Sequence, residues 1–262
     1  MKISILTVNR NGARWLARCM DSVLAQELAP GDELEYLFLD GGSTDGSLSI
    51  AEVRRDHLAA LVSEPDNGPA EALNKGFRLV TGDLIGWLNA DDVYGPGTLA
   101  RALTVAKAHP SAGFFFGPCR IVNEAGREIR RFPTLVKNSC FPFSSRFLLQ
   151  CINYVSQPAS WFRRAALEAA GGGLRTDLKA AWDYDLMLRL WRQGGGVRIP
   201  GGPLADFQWH PASIGGTHYE RQFAEEWKLA AADAGRFSPQ AAIHWGVWRG
   251  IVACYRLMNR RA

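Results

Sequence analysis

The sequence predicts an α/β protein whose sheet is flanked by helices on both faces and which ends in a helical tail. Three observations carry that expectation. Four short apolar runs in the first hundred residues alternate with helical patterns, as β-α-β units do. Each run ends in a polar cluster, the place where open parallel sheets bind ligands. From Tyr219 to Ala262 the spacing is helical, with no strand pattern.

The elements follow in order. Lys2 to Val8 (KISILTV) reads as a buried first strand. Leu16, Cys19, Met20, Val23 and Leu24 recur at i, i+3, i+4, i+7 and i+8, one face of a helix. Leu34 to Asp40 is a second strand, and Ser43-Thr-Asp-Gly-Ser47 supplies cap chemistry for a helix running to about His57. Leu61 to Ser63 is a third strand. Ala70 to Val80 is a helix with Leu73, Phe77 and Val80 inward. Leu84 to Leu88 is a fourth strand, and Pro96-Gly97 opens a helix to about Ala108. After Ser111 the pattern changes. Phe114 to Phe116 is apolar, and Cys119 to Asn123 with Gly126 to Phe132 reads as a hairpin. Helical patterns return at Phe143 to Cys151, Arg164 to Ala170 and Asp183 to Gln193, and the tail splits at Phe237-Ser-Pro239.

Composition narrows the class. The 262 residues are 47% hydrophobic and 21% charged, as in an ordinary globular protein. No apolar run approaches the ~18 residues of a membrane span. Ile3 to Val8 followed by Asn9-Arg10-Asn11-Gly12 lacks the pattern of a signal peptide, so a cytoplasmic location is expected. Five scattered cysteines without a CxxC pair point to reduced thiols rather than disulfides or zinc. A net charge of +4 is too mild to imply nucleic acid. The loop after the first strand lacks GxGxxG, no P-loop string occurs, and no GxSxG elbow supplies a serine nucleophile.

The strand ends carry Thr7-Val8-Asn9-Arg10, Asp40-Gly41-Gly42-Ser43, Glu64-Pro65-Asp66-Asn67-Gly68 and Asn89-Ala90-Asp91-Asp92. Adjacent carboxylates such as Asp91 and Asp92 repel unless a cation lies beside them. The pair therefore fits either a hard divalent ion shared with substrate phosphates or a turn cap before Pro96.

Taken with their neighbours, these clusters resemble the ordered motifs of glycosyltransferase family 2. The likeness rests on Thr7-Val-Asn-Arg10, Asp40-Gly-Gly-Ser-Thr-Asp45 and Ser63-Glu-Pro-Asp-Asn-Gly68 with Ala72-Leu-Asn-Lys-Gly76. It continues through Gly86-Trp-Leu-Asn-Ala-Asp-Asp92, Gln157-Pro-Ala-Ser-Trp-Phe-Arg-Arg164 and Ala181-Trp-Asp-Tyr-Asp-Leu-Met-Leu-Arg189. It spans about Lys2 to His210.

The resemblance implies a GT-A fold, a Rossmann-like mixed sheet flanked by helices, using a UDP-, GDP- or dTDP-sugar donor. It implies inverting transfer of one sugar to a hydroxyl on a saccharide or lipid-linked saccharide, in polysaccharide or glycoconjugate biosynthesis. By matching position, Thr7, Asn9 and Asp40 line the nucleotide pocket, with Asp66 and Asn74 near base and ribose. Asp91 and Asp92 form the metal-bearing end for Mn²⁺ or Mg²⁺, and Asp91 also touches the nucleotide. Lys75 reads either as a diphosphate contact or as an exposed helix lysine. Asn89 departs from the family, where the first Asp of the motif is common. Asp183 matches the catalytic base, although Trp182 replaces a frequent Glu, and Asp185 is the reserve. Trp182 reads as a stacking platform for sugar or acceptor, or as core. His210 stands where relatives carry a loop near diphosphate or metal.

Residues 1–215 are expected to form the glycosyltransferase domain, with a nucleotide-binding half (1–110) and an acceptor and catalytic half (111–215). Residues 216–262 form a helical extension. In that tail Trp245, Trp248, Ile251, Val252 and Tyr255 alternate with arginines, a pattern for docking on the domain, for dimerisation, or for peripheral contact with the inner face of a membrane. Two rivals are a sugar nucleotidyltransferase, which wants a longer basic loop after the first strand, and a non-catalytic nucleotide-sugar-binding protein, which Trp182 and Asn89 would suit.

Overall fold

The computed structural model describes residues 1–211, 213 and 219–259, with side chains to residue 253. The domain boundary expected at 215, parts of the segment after His210, and the side chains of Tyr255, Arg256, Arg260 and Arg261 lie outside the described residues.

The main sheet has seven strands. β1 (Lys2–Asn9), β2 (Glu33–Asp40), β3 (Ala60–Ser63) and β4 (Leu84–Asn89) are parallel, in the spatial order β4-β1-β2-β3. Helices α1 (Ala13–Leu24), α2 (Ser47–Glu52) and α3 (Pro69–Phe77) connect them. A short β5 (Val93–Tyr94) and helix α4 (Thr98–Ala108) follow, then β6 (Phe114–Phe116), β7 (Cys119–Val122) and β8 (Glu128–Ile129). Next come α5 (Arg131–Cys140), α6 (Arg146–Cys151), β9 (Ser160–Arg163), α7 (Arg164–Ala169) and α8 (Trp182–Trp191). The chain ends with β10 (Gly196–Arg198), β11 (Ala205–Gln208), α9 (Tyr219–Ala234) and α10 (Pro239–Asn259). β9 inserts between β4 and β6 antiparallel to both, and β10 joins β6 at the edge, so the sheet is mixed. A second sheet runs β5-β11-β7-β8 beside the carboxyl end of β4.

Strand β1 is buried from Ile3 to Asn9 because helices cover both faces, which is why its sequence is nearly continuous apolar rather than alternating. Ile3, Ile5, Tyr36 and Phe38 meet α1 and α4 on one side. Leu6, Val8, Leu37 and Leu39 meet α3 and α8 on the other. Gly76 lets α3 press onto that face, since a Cβ there would stand 2.1 Å from Leu6 Cδ2.

Several boundaries differ from expectation. The second helix stops at Glu52 and is followed by a separate 3-10 turn at Arg55–His57. Of the stretch Gly126 to Phe132 only Glu128–Ile129 is strand, because α5 begins at Arg131 with Pro133 in its first turn, where proline's missing N–H has no partner to lose. The tail helices do pack on the domain. His244 Nδ1 lies 2.9 Å from the Gln150 carbonyl oxygen, and Asp233 pairs with Arg146 of α6 at 2.6 Å.

Candidate active site

Register sets the site. Asn9 pairs with Asp40, Asp40 with Ser63, and Val8 with Asn89, so the ends of β4, β1, β2 and β3 share one rim. Asp40, 3% exposed, is its hub. Its Oδ1 accepts from Asn9 Nδ2 at 2.9 Å and from Ser43 Oγ, and its Oδ2 accepts from the Ser43 N–H and Ser63 Oγ, each at 2.9 Å. Burial would raise the Asp40 pKa, but these donors outweigh it and hold the carboxyl below its ordinary value. Asp66 lies against the same strand end. A Cβ on Gly41 would stand 2.4 Å from Asp66 Oδ2, so glycine is what admits the carboxylate.

At the end of β4 the two acids diverge. Asp92 is fully buried, its Oδ1 accepting the Gln208 N–H at 3.0 Å and its Oδ2 accepting from Asn89 Nδ2 at 3.2 Å. Burial, then the charge of Asp91, pushes its pKa well up. Asn89 Nδ2 also donates to Gln157 Oε1 at 3.2 Å, and Gln157 Nε2 donates to the Trp87 carbonyl at 2.8 Å. The amide of Asn89 is thus a donor between two acceptors, a position where an ionised Asp would repel Asp92. Asp91 keeps 24% of its side chain exposed, and its Oδ2 lies 3.1 Å from His210 Nε2. His210 stacks on Trp15 of α1, ring centroids 4.4 Å apart.

Across the rim, Trp182 packs on Trp87 of β4 at 6.0 Å and brings the N-terminus of α8 to the carboxyl end of that strand. Asp183, the next residue, is partly exposed and takes a hydrogen bond from the Tyr184 N–H at 2.8 Å. Burial, then the nearby Glu226 carboxylate, raises its pKa to about 7, while Lys137 opposes the rise. Such a carboxyl is poised to exchange a proton near neutrality. Asp185 is different in kind, since Arg189 Nε holds it at 2.9 Å and Arg175 lies 3.8 Å away.

The rim therefore gathers Asn9, Asp40, Asp66 and Asp91, and Asp183 lies in the first turn of the helix that Trp182 seats on β4. Other expected site residues sit elsewhere. The Thr7 side chain is fully buried, its hydroxyl 2.9 Å from Tyr36 Oη, so it braces β1 on the α1 side. Asn74 clamps Leu174 in both directions, donating to its carbonyl at 2.9 Å and accepting its N–H at 2.7 Å. Lys75 turns to Glu64 at 2.9 Å and to the Pro65 carbonyl at 3.1 Å. Trp182, 7% exposed, belongs to the core. Asp92 stands behind the cleft rather than in it.

Two residues of the tail were missed. Glu225 accepts the N–H groups of Lys179, Ala180 and Ala181 at 2.9 to 3.3 Å, which anchors the segment leading into α8. Glu226, 3% exposed, accepts from Asn153 and Gln222 at 3.1 Å each. The sequence signal was a glutamate at i+3 from Phe223 and three before Leu229, a charge on the apolar face of a helix.

Among the described residues no group of three or more His, Cys, Asp and Glu side chains forms a metal cage. Asp91 and His210 do fit a partial one. A hard oxygen and an imidazole nitrogen converge at a partly exposed edge, as for an ion whose shell is completed by phosphate oxygens and water.

Comparison with known proteins agrees with this architecture. The family model for glycosyl transferase family 2 matches residues 4–171. An uncharacterised glycosyltransferase of Mycobacterium tuberculosis is 32% identical over 190 residues, covering 71% of this chain and 68% of that protein. A Mycobacterium bovis PGL/p-HBAD biosynthesis glycosyltransferase is 27% identical over 70% of this chain and 68% of its own length. An uncharacterised glycosyltransferase of a Nostoc strain is 34% identical over 116 residues, and the chain spans only 35% of it. Among solved structures, Staphylococcus aureus TarS 1-349 in complex with UDP superposes with a TM-score of 0.68 at 19% identity, over 93% of this chain and 68% of that one. The Pyrobaculum calidifontis mannosyltransferase PcManGT, solved with GDP-Man and Mn²⁺, gives 0.66 at 20% identity, over 98% and 79%. The fold is that of the GT-A glycosyltransferases. The chain belongs to glycosyl transferase family 2.

Proposed function

We propose that this chain is an inverting glycosyltransferase that moves one sugar from a nucleotide-diphosphate-sugar to a hydroxyl acceptor in glycoconjugate or polysaccharide biosynthesis. The observation that carries the reading is the rim of Asn9, Asp40, Asp66 and Asp91 at the ends of four parallel strands, with Asp183 in the first turn of the helix that Trp182 seats on Trp87 of β4. In this reading Asp183 takes the proton of the acceptor hydroxyl as that oxygen attacks the anomeric carbon, and the nucleotide diphosphate leaves from the opposite face. Asn9, Asp40 and Asp66 form the nucleotide end of the cleft. Asp40 keeps the loop after β2 rigid through Ser43, and Asp66 presents its carboxylate over Gly41.

Asp91 and His210 would hold a divalent cation, Mn²⁺ or Mg²⁺, which supplies charge neutralisation for the departing diphosphate. Asp92 supports them from behind by fixing β11 to the end of β4 through Gln208. The solved complexes of TarS with UDP and of PcManGT with GDP-Man support a nucleotide-sugar donor, and the PGL/p-HBAD biosynthesis in the name of the M. bovis relative supports a glycoconjugate product. Among the described residues no helix is long and apolar enough to cross a membrane. We place the reaction in the cytoplasm, with the acceptor a saccharide or a lipid-linked saccharide.

The test is a thermal-shift and turnover screen of UDP-, GDP- and dTDP-sugars with and without Mn²⁺. One donor should raise the melting temperature and be turned over, with the anomeric configuration of the product inverted by NMR. Asp183→Asn should keep the donor-induced shift and lose turnover. Turnover by Asp183→Asn at the native rate would remove the base from the mechanism, and retention of configuration would remove inversion.

A further inference from the structure

Large apolar side chains are exposed at nine described positions, and they are not scattered. Phe132 and Leu135 on α5, Phe143 in the turn after it, and Phe147 on α6 are between 53% and 75% exposed. Phe237 lies in the turn before α10, and Ile243 and Trp245 lie in the first two turns of that helix, which packs against α6. Seven of the nine therefore fall on one run of neighbouring elements, whereas a soluble surface ordinarily disperses such groups.

Charge follows the same boundary. Residues 129–167 and 235–262 contain none of the chain's 26 Asp and Glu but 11 of its 30 Lys and Arg. Some of these cations are used internally: Arg146 is paired with Asp233 at 2.6 Å, and Arg163 bonds main-chain carbonyls. Arg131, Arg236 and Arg249 are exposed, although Arg131 lies 3.7 Å from Glu128. Arg249 lies over the exposed Trp245 ring at 5.8 Å, an aromatic body beside a cationic head. That combination suits the headgroup layer of a membrane, where the ring enters the acyl boundary and the guanidinium stays among phosphates.

We propose that the face made by α5, α6 and the start of α10 docks on an anionic lipid bilayer. A second copy of the chain is the poorer occupant, because a two-fold contact would set these acid-free cationic segments against each other. A bilayer carrying anionic headgroups answers both the aromatic cluster and the charge. The surface stands independently of the transfer chemistry. Its consequence for the reaction rests on that reading: Lys137 of α5 is close enough to Asp183 to oppose its pKa rise, and its Nζ lies 3.4 Å from Ser156 Oγ. Helix α5 thus carries the docking face on one side and a cation near the base on another, and a lipid-borne hydroxyl is the acceptor class this arrangement suits.

Vesicle co-sedimentation of the full chain, without donor or acceptor, tests the surface. Binding to vesicles with about 30% phosphatidylglycerol should exceed binding to pure phosphatidylcholine by about tenfold and fall as salt rises. The triple variant Phe132→Ser, Phe143→Ser, Phe147→Ser should lose that binding by about tenfold, with circular dichroism and melting temperature unchanged. Because all three side chains are exposed, folding should survive; should the triple variant unfold, Arg236→Gln with Arg249→Gln supplies the same comparison. Equal sedimentation with both lipids, or variants that bind as the native chain does, would overturn the proposal. So would light scattering showing a native dimer that the triple variant converts to monomer. Turnover of a water-soluble acceptor should be the same in native and variant chains, so loss of vesicle binding and failure of the transfer reading are read separately.

Discussion

His210 Nε2 lies 3.1 Å from Asp91 Oδ2 while its ring rests on Trp15 at 4.4 Å, with planes 18° apart. Trp15 comes from α1 and Asp91 from the end of β4, so two early elements fix a ring contributed from beyond β11. His210→Ala removes one of the two candidate ligands and should weaken Mn²⁺ binding about 10- to 100-fold. Trp15→Ala leaves the nitrogen but frees the ring, and should weaken binding in the same direction by less. Calorimetric titration of Mn²⁺ in the presence of the nucleoside diphosphate checks both, and unchanged affinity in His210→Ala would leave Asp91 without this partner.

Asn89 explains a departure from the family pattern. Its Nδ2 serves Asp92 Oδ2 and Gln157 Oε1 together, which a carboxylate does not do. Asn89→Asp would set a third acid beside the buried Asp92 and Asp91 and remove a donor from both acceptors. A loss of about 1 to 3 kcal/mol is expected at pH 7, seen by denaturant unfolding. The loss should shrink in acid, where the added carboxyl is protonated and can donate again.

Much of the rim was legible because its chemistry is written in local strings at the ends of strongly apolar strands. Asn9, Asp40, Asp66 and Asp91 follow directly from where β1, β2, β3 and β4 stop. Side-chain direction was not legible. Thr7 and Asn9 are two apart on β1, yet Thr7 is closed beneath the sheet while Asn9 reaches Asp40. Asp91 and Asp92 are adjacent, and only the pairing of Gln208 with Asp92 shows which of them is sealed off. Short strands such as Gly196–Arg198 and Ala205–Gln208 were hidden because three or four residues between glycine-rich turns carry too little periodicity. The role of α9 was hidden for another reason: its contacts join residues about 45 to 73 positions apart, as from Glu225 to Lys179, Ala180 and Ala181 and from Glu226 to Asn153.

The pH dependence of the reaction follows from Asp183. With its pKa near 7, kcat/KM should rise with unit slope through about pH 7 and level above it, since the base must be ionised. Glu226→Gln removes a neighbouring negative charge and should move the midpoint down. Lys137→Ala removes an opposing positive charge and should move it up. The native fold binds this proton more tightly than the unfolded chain does, so stability from this group falls as pH rises from about 4 through 7. Asp183→Asn should accordingly be more stable than the native protein at pH 8 and equally stable at pH 4, as read by denaturant unfolding at the two pH values. Rate profiles of the two charge variants that coincide with the native one would break the link between the tail and the base.

Glu225 tests the mechanical half of that link. Its carboxylate is the acceptor for the N–H groups of residues 179, 180 and 181, and Arg221 Nε lies 3.2 Å away. Burial raises its pKa, but the Ala180 N–H and Arg221 outweigh it, with the Ala181 and Lys179 N–H groups adding to them, and the carboxyl is held below its ordinary value. Its contribution is therefore complete near neutrality and is lost as pH falls through that lowered value. Glu225→Ala leaves these donors without their acceptor and should cost about 1 to 3 kcal/mol at pH 7. Because the gripped segment leads straight into Trp182 and Asp183, kcat should fall while the donor's affinity, set at the β1 and β2 ends, stays as it was. Glu225→Gln retains an acceptor oxygen and should recover part of both losses. A fall in donor affinity equal to the fall in kcat would show that α9 steadies the whole cleft rather than the base.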